Sequence, residues 1–263
     1  MLLVDSHSHI FTEDFDHDRQ AVLERAAQAG VKYHVLPNID STSIQRLIET
    51  TAKYSQCFPL MGLHPTSVNR NFSKELEVVT TNLSTRKFWG IGEIGIDLYW
   101  DKSYIEEQKV AFRHQLQLAK KLGLPVAIHA RNSFQEIFSI LDEEVDSLLS
   151  GVFHSFTGTL EDYLHIQDYK SFMVGIGGVV TFKNGQVDRV LPHINPEKIV
   201  LETDSPYLSP APVRGKRNES FNLTFIAQRV ASILGMPVHE VAAKTSANAI
   251  KLFNLPISNE ESK

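Results

Sequence analysis

Short apolar runs alternate along this chain with longer segments whose apolar residues recur every three or four positions. The first kind is typical of buried parallel strands and the second of amphipathic helices. The predicted strands are Leu2–Asp5, Tyr33–Leu36, Phe58–Gly62, Phe88–Ile94, Val126–Ile128, Val152–Phe153, Phe172–Gly175 and Ile199–Leu201. The predicted helices are Asp16–Ala29, Ser41–Tyr54, Lys74–Leu83, Ile105–Leu122, Phe134–Leu149, Leu160–Asp168, a weaker one before Pro192, Phe221–Leu234 and Pro237–Phe253.

Eight strands, each followed by a helix, predict an α/β fold of the (β/α)8 TIM-barrel type, or a distorted seven-stranded version of it. The length of 263 residues suits one such domain, since these barrels typically run to about 250 residues. We therefore expect a single domain over residues 1–263, with a frayed polar end at Ser258–Lys263.

Composition indicates an ordinary globular protein. Apolar residues make up 42% and charged residues 22%, which favours a full core over disorder. The single cysteine, Cys57, cannot form an intrachain disulfide and fits a reducing compartment. The chain shows no signal-peptide pattern and no run of roughly 18 apolar residues. We expect a cytoplasmic protein without a membrane partner, for which a monomeric state is plausible.

The net charge of −5 argues against a protein that coats duplex nucleic acid with a broad basic face. A negative net charge is still compatible with a local anion-binding pocket that contains metal cations.

Six metal-ligand side chains each follow a short apolar run. Barrel active sites lie at the carboxyl ends of the strands, where these side chains are expected to meet. Any one of them alone is better explained by packing or hydrogen bonding, but the set predicts a divalent-metal site, and one for two ions. The six are His7, His9, Glu93, His129, His154 and Asp204.

The spacing of these residues suggests how they share ions. His7 and His9 are two apart, so on an extended strand both face the barrel interior. Glu202 and Asp204 form a similar same-face pair on strand eight. One ion can therefore bind both imidazoles of the first pair. Asp204 is also the candidate to move a proton from a nucleophilic water.

Glu93 is predicted to end strand four, with Gly92 and Gly95 leaving room for close approach. A carboxylate has two oxygens and can bridge two ions, whereas an imidazole cannot. His129 and His154 would then serve the second ion. A donor set rich in imidazole leans toward Zn, Mn, Fe or Ni, while Mg prefers oxygen ligands. Two divalent ions per chain are expected, with Zn, Mn and Mg as the candidates.

Four side chains in the predicted loops at the mouth are candidates for binding a substrate anion. Arg131 lies two residues after His129, and Arg214 begins a basic loop with Lys216 and Arg217. The other two candidates are Lys183 and His64. Each is, in isolation, as well explained as a solvated charge or a hydrogen-bonded loop residue.

Three aromatic residues share these loops: Tyr99, Trp100 and Phe182. They could stack on nucleobases, which favours single strands or frayed ends over intact duplex. Apolar loop packing is an equally good explanation of their presence.

The chain resembles the TatD family of metal-dependent deoxyribonucleases, which belong to the amidohydrolase-like TIM-barrel hydrolases. The matching motifs occur in family order along nearly the whole chain. They are D-S-H-S-H (Asp5–His9), G-L-H-P (Gly62–Pro65), G-E-I-G-I-D (Gly92–Asp97), P-V-A-I-H-A-R (Pro125–Arg131), F-H-S-F-T-G (Phe153–Gly158), L-E-T-D-S-P-Y-L (Leu201–Leu208) and A-P-V-R-G-K-R-N-E (Ala211–Glu219).

The resemblance implies that His7, His9 and Asp204 hold one ion, that His129 and His154 hold the other, and that Glu93 contacts both. It also implies hydrolysis of DNA phosphodiester bonds, as a 3′→5′ exonuclease. Two alternatives stay open: a hydrolase of the same fold that acts on a lactone, amide or aminoacyl ester, and a non-catalytic binding module. The intact ligand set disfavours the second.

Overall fold

The structure, a computed structural model, describes residues 1–183 and 185–256, so the predicted frayed end at Ser258–Lys263 lies outside the described residues. The strands are β1 (Leu3–Asp5), β2 (Val31–Pro37), β3 (Cys57–Leu60), β4 (Ile91–Asp97), β5 (Val126–Arg131), β6 (Gly151–Phe153), β7 (Phe172–Ile176) and β8 (Ile199–Leu201). The α-helices are α1 (Arg19–Gln28), α2 (Ile44–Lys53), α3 (Phe72–Thr85), α4 (Ile105–Leu122), α5 (Phe134–Glu144), α6 (Leu160–Asp168), α7 (Val187–Val190), α8 (Leu223–Leu234) and α9 (Val238–Leu252). Short 3-10 turns occupy Glu13–Phe15, Pro65–Ser67, Gly178–Thr181, Leu191–His193, Pro196–Lys198, Ala211–Val213 and Ser220–Asn222.

All of these strands pair in parallel and in chain order, β1 to β3 in one ladder and β4 to β8 in another. Backbone hydrogen bonds close the two seams into a ring. At the β3–β4 seam the N–H of Met61 donates to Gly90 O over 3.2 Å, and at the β8–β1 seam the N–H of Ser6 donates to Leu201 O over 3.0 Å. The predicted (β/α)8 TIM barrel is confirmed, with two irregular seams.

Helix α4 shows why the sequence pattern located the elements well. Its buried face carries Phe112, Leu116 and Ala119, which join the core around the barrel strands. The helix ends at Gly123, whose φ of 64° is left-handed and therefore suits glycine.

Among residues 1–183 and 185–256, no helix combines the length and the apolar character that crossing a bilayer requires.

Strand β4 differs from its prediction. It runs from Ile91 to Asp97, so Glu93 lies inside the strand instead of ending it. The pairing with β5 is irregular between Ile91 and Ile94, and the Gly92–Glu93 peptide bond is cis. A side chain at Gly92 would collide with Ala127, so the backbones approach closely here. The strand pairing is thus irregular beside Glu93, which an apolar pattern cannot reveal.

Several other predicted boundaries were wrong, among them those of two helices. Helix α5 ends at Glu144 and not at Leu149, because Val145 adopts an extended backbone with ψ of 131°. Helix α1 begins at Arg19, since the segment before it forms the 3-10 turn Glu13–Phe15. Strand β5 also runs on to Arg131, so His129 and Arg131, which were predicted to follow the strand, lie on it.

Candidate metal centre

The chain segments that follow β1 and β8 lie side by side and are connected by backbone hydrogen bonds. The N–H of Asp204 donates to His7 O over 2.9 Å, and the N–H of His9 donates to Ser205 O over 2.7 Å. The hydroxyls of Ser8 and Ser205 lie 2.9 Å apart. His7 and His9 follow β1 and do not lie on it, yet their Nε2 atoms are only 3.2 Å apart. The two imidazoles therefore face one point, as predicted from their spacing.

Glu93 is the hub of the cluster, and its two oxygens face different partners. Its Oε2 lies 3.1 Å from His7 Nε2 and 3.5 Å from His9 Nε2. Its Oε1 lies 2.9 Å from His129 Nδ1 and 3.7 Å from His154 Nε2. The carboxylate thus stands between the two histidine pairs, as a bridging ligand must.

Asp204 completes the first group. Its Oδ1 lies 3.4 Å from His9 Nε2 and 3.8 Å from His7 Nε2, and the same atom is 3.9 Å from His154 Nε2. Its φ of 55° is left-handed, a conformation that aspartate tolerates better than most residues. At 13% exposure its side chain is the more accessible of the two carboxylates, since Glu93 is 2% exposed.

His129 and His154 each have a second carboxylate on the ring nitrogen that faces away from Glu93. His129 Nε2 lies 2.8 Å from Asp97 Oδ2, and His154 Nδ1 lies 2.9 Å from Glu202 Oε1. Both carboxylates are buried. Such partners commonly fix the orientation and tautomer of metal-binding histidines.

Sequence reasoning missed Asp97 in this role and named Glu202 only as the same-face partner of Asp204. The available signal was strand parity. Asp97 is four residues from Glu93 on β4, so the two share a strand face. The predicted same-face pairing of Glu202 with Asp204 on strand eight was wrong, since β8 ends at Leu201 and Asp204 has a left-handed backbone.

A further buried carboxylate, Asp5, orders the backbone beside Asp204. It accepts hydrogen bonds from Thr203 N at 2.9 Å, from Thr203 Oγ1 at 2.6 Å and from Ser220 Oγ at 2.6 Å. Burial raises the pKa of Asp5 to about 7 although these donors oppose the shift. These hydrogen bonds fix the backbone and the side chain of Thr203, the residue that precedes Asp204.

The electrostatics of the cluster favour a cation. Burial by itself would raise the pKa of Glu93, but the facing imidazoles, His64 and His7 foremost, hold that pKa well below its usual value. Burial likewise opposes protonation of His9 and His154. Nearby carboxylates outweigh it, raising the pKa of His9 to about 9 and that of His154 to about 10. The negative charge of the carboxylates therefore favours protonated histidines when no metal cation is bound.

The donor atoms fit divalent metal ions. Two imidazole Nε2 atoms 3.2 Å apart cannot both carry protons without repulsion, whereas a cation accepts both lone pairs. His7, His9 and Asp204 offer ligand atoms that all lie within 4.8 Å of one another. The described residues contain two more such groups: His7, His154 and Glu202, and His64, Glu93 and His129. Imidazole and carboxylate together suit a transition-metal ion.

His64 differs from the other histidines because its Nδ1 accepts the backbone N–H of Thr66 over 3.1 Å. A backbone N–H can only donate, so the neutral ring carries its proton on Nε2. That Nε2 lies 3.2 Å from Glu93 Oε1 at the mouth. In this tautomer His64 is a hydrogen-bond donor. To bind an ion through Nε2, as its place beside Glu93 and His129 would allow, it would have to move that proton to Nδ1 and lose the Thr66 hydrogen bond.

A cavity of about 680 Å³ opens above the cluster, within the usual range for ligand pockets. Its walls contain His64 and Arg131 of the four predicted substrate contacts. The other two lie outside its lining: Arg214 packs its guanidinium over the Phe182 ring at 4.5 Å, and Lys183 is exposed.

Arg217, the third basic residue of the loop with Arg214, is tied to another part of the surface. Its Nη2 lies 2.7 Å from Asp18 Oδ2, and its guanidinium packs over Phe15 at 4.5 Å. The loop is therefore less free to bind an anion than its composition suggested.

Known proteins match nearly the whole chain. The model of the family described as "TatD related DNase" matches residues 4–254. An uncharacterized metal-dependent hydrolase, YabD of Bacillus subtilis, is 35% identical over 97% of this chain and all of its own length. The 3′-5′ ssDNA/RNA exonuclease TatD of Salmonella typhimurium is 31% identical over 94% of this chain and 97% of its own. The crystal structure of the TatD homologue YjjV from Escherichia coli superposes with a TM-score of 0.91 at 28% identity, covering 97% of this chain and 98% of that one.

Proposed function

This chain belongs to the family of TatD-related DNases, and we propose on that premise that it is a divalent-metal-dependent phosphodiesterase that removes nucleotides from the 3′ end of single-stranded DNA. The observation that carries the proposal is the position of Glu93. Its two oxygens face two separate sets of ligand atoms, which is the geometry that two-metal hydrolysis requires. The relative TatD, which is named a 3′-5′ ssDNA/RNA exonuclease, supports the polymer and the polarity.

The ligands divide as follows in this proposal. His7, His9 and Asp204 would hold one ion, His129 and His154 would hold the second, and Glu93 would serve both. Bound divalent ions would supply an acidified water and would offset the negative charge of the phosphodiester. Zn and Mn suit these donors, and Mg is the third candidate.

The chain's own groups supply the remaining chemistry. Asp204, the more exposed carboxylate, accepts the proton of the attacking water at a carboxylate oxygen. The Nε2–H of His64, which faces Glu93 Oε1 at 3.2 Å, would become available to a phosphate oxygen once Glu93 binds the ions, while Thr66 fixes the ring from the other side. Arg131 contributes a guanidinium to the cavity wall, where it pairs with a phosphate.

Metal removal and reconstitution test the proposal. We expect EDTA to abolish shortening of 5′-labelled single-stranded DNA, and Mn or Mg to restore it. A 3′-terminal phosphorothioate linkage should block the reaction, because attack begins at that end. A protein with stoichiometric metal that cleaves no form of DNA or RNA would contradict the proposal.

One observation favours a second candidate, a hydrolase of the same fold acting on a neutral ester, lactone or amide. Among the described residues that line the cavity, Arg131 is the only arginine or lysine, and apolar side chains such as Ile39 and Val179 share the wall. Arg131→Ala separates the candidates, since it should impair a phosphodiesterase far more than a hydrolase of uncharged esters.

A further inference from the structure

Two large aromatic side chains stand exposed beside the metal centre. Tyr99 and Trp100 directly follow β4 and are 54% and 69% exposed. Their rings meet edge to face with centroids 4.9 Å apart. Neighbouring exposed aromatic rings of this size often mark a binding surface. We refer to Tyr99 and Trp100 as the aromatic platform.

The aromatic platform is fixed to the metal centre by one buried carboxylate. Asp97 Oδ1 accepts the backbone N–H of Tyr99 at 2.9 Å and that of Trp100 at 3.1 Å. Its Oδ2 lies 2.8 Å from Nε2 of His129. The same side chain therefore sets the backbone of the platform and the orientation of a candidate metal ligand. Such a connection fixes the backbone of the platform relative to His129.

Arg131 adds a cation to the platform. Its backbone lies opposite that of Asp97 in the β4–β5 pairing. Its guanidinium carbon lies 4.0 Å from the centroid of the Tyr99 ring and 5.4 Å from that of the Trp100 ring. A guanidinium on an aromatic face keeps its N–H groups free at the edge of its plane. Arg131 can therefore contact a phosphate while it remains stacked.

The third aromatic candidate of the sequence, Phe182, lies in a different environment. Its ring carries the Arg214 guanidinium at 4.5 Å, much as Tyr99 carries that of Arg131, but it is half-buried and is not part of the cavity lining. The platform, by contrast, lines the same cavity as Glu93 and His129. Tyr207, 52% exposed, lines the same cavity from the segment after β8, but the ring-to-ring contact and the stacked guanidinium of Arg131 belong to Tyr99 and Trp100.

We propose that Trp100 and Tyr99, together with Arg131, form a subsite that stacks an unpaired nucleobase of the substrate strand. This inference rests on the proposed function and adds the feature of the substrate that is recognised. Every base has an aromatic face, so the subsite tolerates any sequence. Bases inside a duplex have both faces covered by their neighbours, so the subsite selects single strands and frayed ends.

Trp100 offers a direct test, because the chain has only one other tryptophan, Trp89. Metal-loaded protein is titrated with a hydrolysis-resistant phosphorothioate oligothymidylate, and both tryptophan fluorescence and affinity are measured. We expect quenching in the wild type and a roughly 5- to 100-fold weaker affinity in Trp100→Ala. Trp100→Phe should lose the quenching but keep most of the affinity, because it retains a ring.

Two controls separate base stacking from other effects. Leu148→Ala removes a comparably exposed side chain, 64% exposed, from a loop at the other end of the barrel, and should bind like the wild type. An abasic oligonucleotide of the same length keeps its phosphates, so the wild type and Trp100→Ala should bind it equally.

The outcomes distinguish this inference from the function on which it rests. If the protein degrades DNA but Trp100→Ala binds the oligothymidylate as the wild type does, the stacking subsite is wrong and the nuclease proposal stands. An equal loss of affinity for the abasic strand in Trp100→Ala would also overturn the subsite. A metal-loaded protein that neither binds nor degrades DNA overturns both.

Discussion

The Nδ1 atom of His154 lies 2.9 Å from the Oε1 atom of Glu202, on the side of the ring that faces away from Glu93. Glu202 is fully buried, and its Oε1 also accepts the backbone N–H of Ser155. Burying a carboxylate costs free energy unless a charged or hydrogen-bonding partner compensates for the lost hydration. We infer that Glu202 holds His154 with Nε2 turned toward the metal centre.

Glu202→Gln should therefore weaken metal binding while it preserves the fold. The amide has the same shape but lacks the charge that orients the imidazole. We expect about 10- to 100-fold lower affinity for the ion that His154 serves, measured by titration calorimetry of the metal-free protein. Unchanged metal affinity would show that the contact is incidental.

Two glycines near the end of β7 provide an independent test of the same contact. A methyl group at Gly175 would collide with the Glu202 carboxylate, whereas one at Gly177 would lie 3.7 Å from Glu202 Cγ, an ordinary contact distance. Gly175→Ala should thus lower metal affinity, and Gly177→Ala should not. Equal metal affinity in the two variants, measured by the same calorimetry, would argue against a positioning role for Glu202.

His64→Gln should reduce catalysis without removing metal. His64 Nδ1 accepts the Thr66 N–H, which leaves Nε2–H to donate. Losing one hydrogen bond to a charged group is worth about 1.5–3 kcal/mol, roughly 10- to 100-fold in kcat/KM. Metal content by elemental analysis should equal that of the wild type. A variant that loses one ion per chain would instead make His64 a ligand.

Asp204→Asn is expected to keep its metal and lose turnover. The amide oxygen can still coordinate an ion, but it cannot accept a proton. We expect kcat to fall by about 10²- to 10⁴-fold. Steady-state kinetics together with metal analysis check this, and near-normal kcat would exclude proton transfer by Asp204.

Glu144, far from the metal centre, ties α5 to α4. It lies 2.8 Å from Arg113 Nη1 and 2.9 Å from Lys120 Nζ. Burial opposes ionisation, but these cations outweigh it and lower the pKa of Glu144 below the ordinary 4.5. A lowered pKa in the folded state means that the stabilisation is complete above pH 4.5 and is lost as the pH falls through the folded value.

Glu144→Gln should accordingly lower the free energy of unfolding at neutral pH by about 1 kcal/mol, a modest value because solvent screens part of the interaction. The difference from wild type should shrink below pH 4.5. Urea denaturation across this range measures it. A difference that stays constant as the pH falls would contradict the ion-pair explanation.

The sequence predicted the barrel and the convergence of the candidate ligands well because both follow from periodicity. Apolar runs mark the strands, and chain order then places every strand end at one mouth. Helices α4 and α6 have the predicted bounds because their ends carry local signals, Gly123 in one case and a capping box of Thr159 and Asp162 in the other.

The remaining features depend on contacts that are distant in sequence. The pairing of β4 with β5 is irregular between Ile91 and Ile94, beside Glu93, and it involves a strand that is distant in sequence. Arg217 resembled a phosphate contact until its partner Asp18 was located. Likewise, the difference between Trp100 and Phe182 lies in the neighbours that cover or expose each ring.

The most direct test is a crystal grown with excess Mn or Zn and measured by anomalous diffraction. We expect two anomalous peaks per chain on either side of Glu93, one adjoining His7, His9 and Asp204 and the other adjoining His129 and His154. A single peak, or none between these side chains, would contradict the two-metal site.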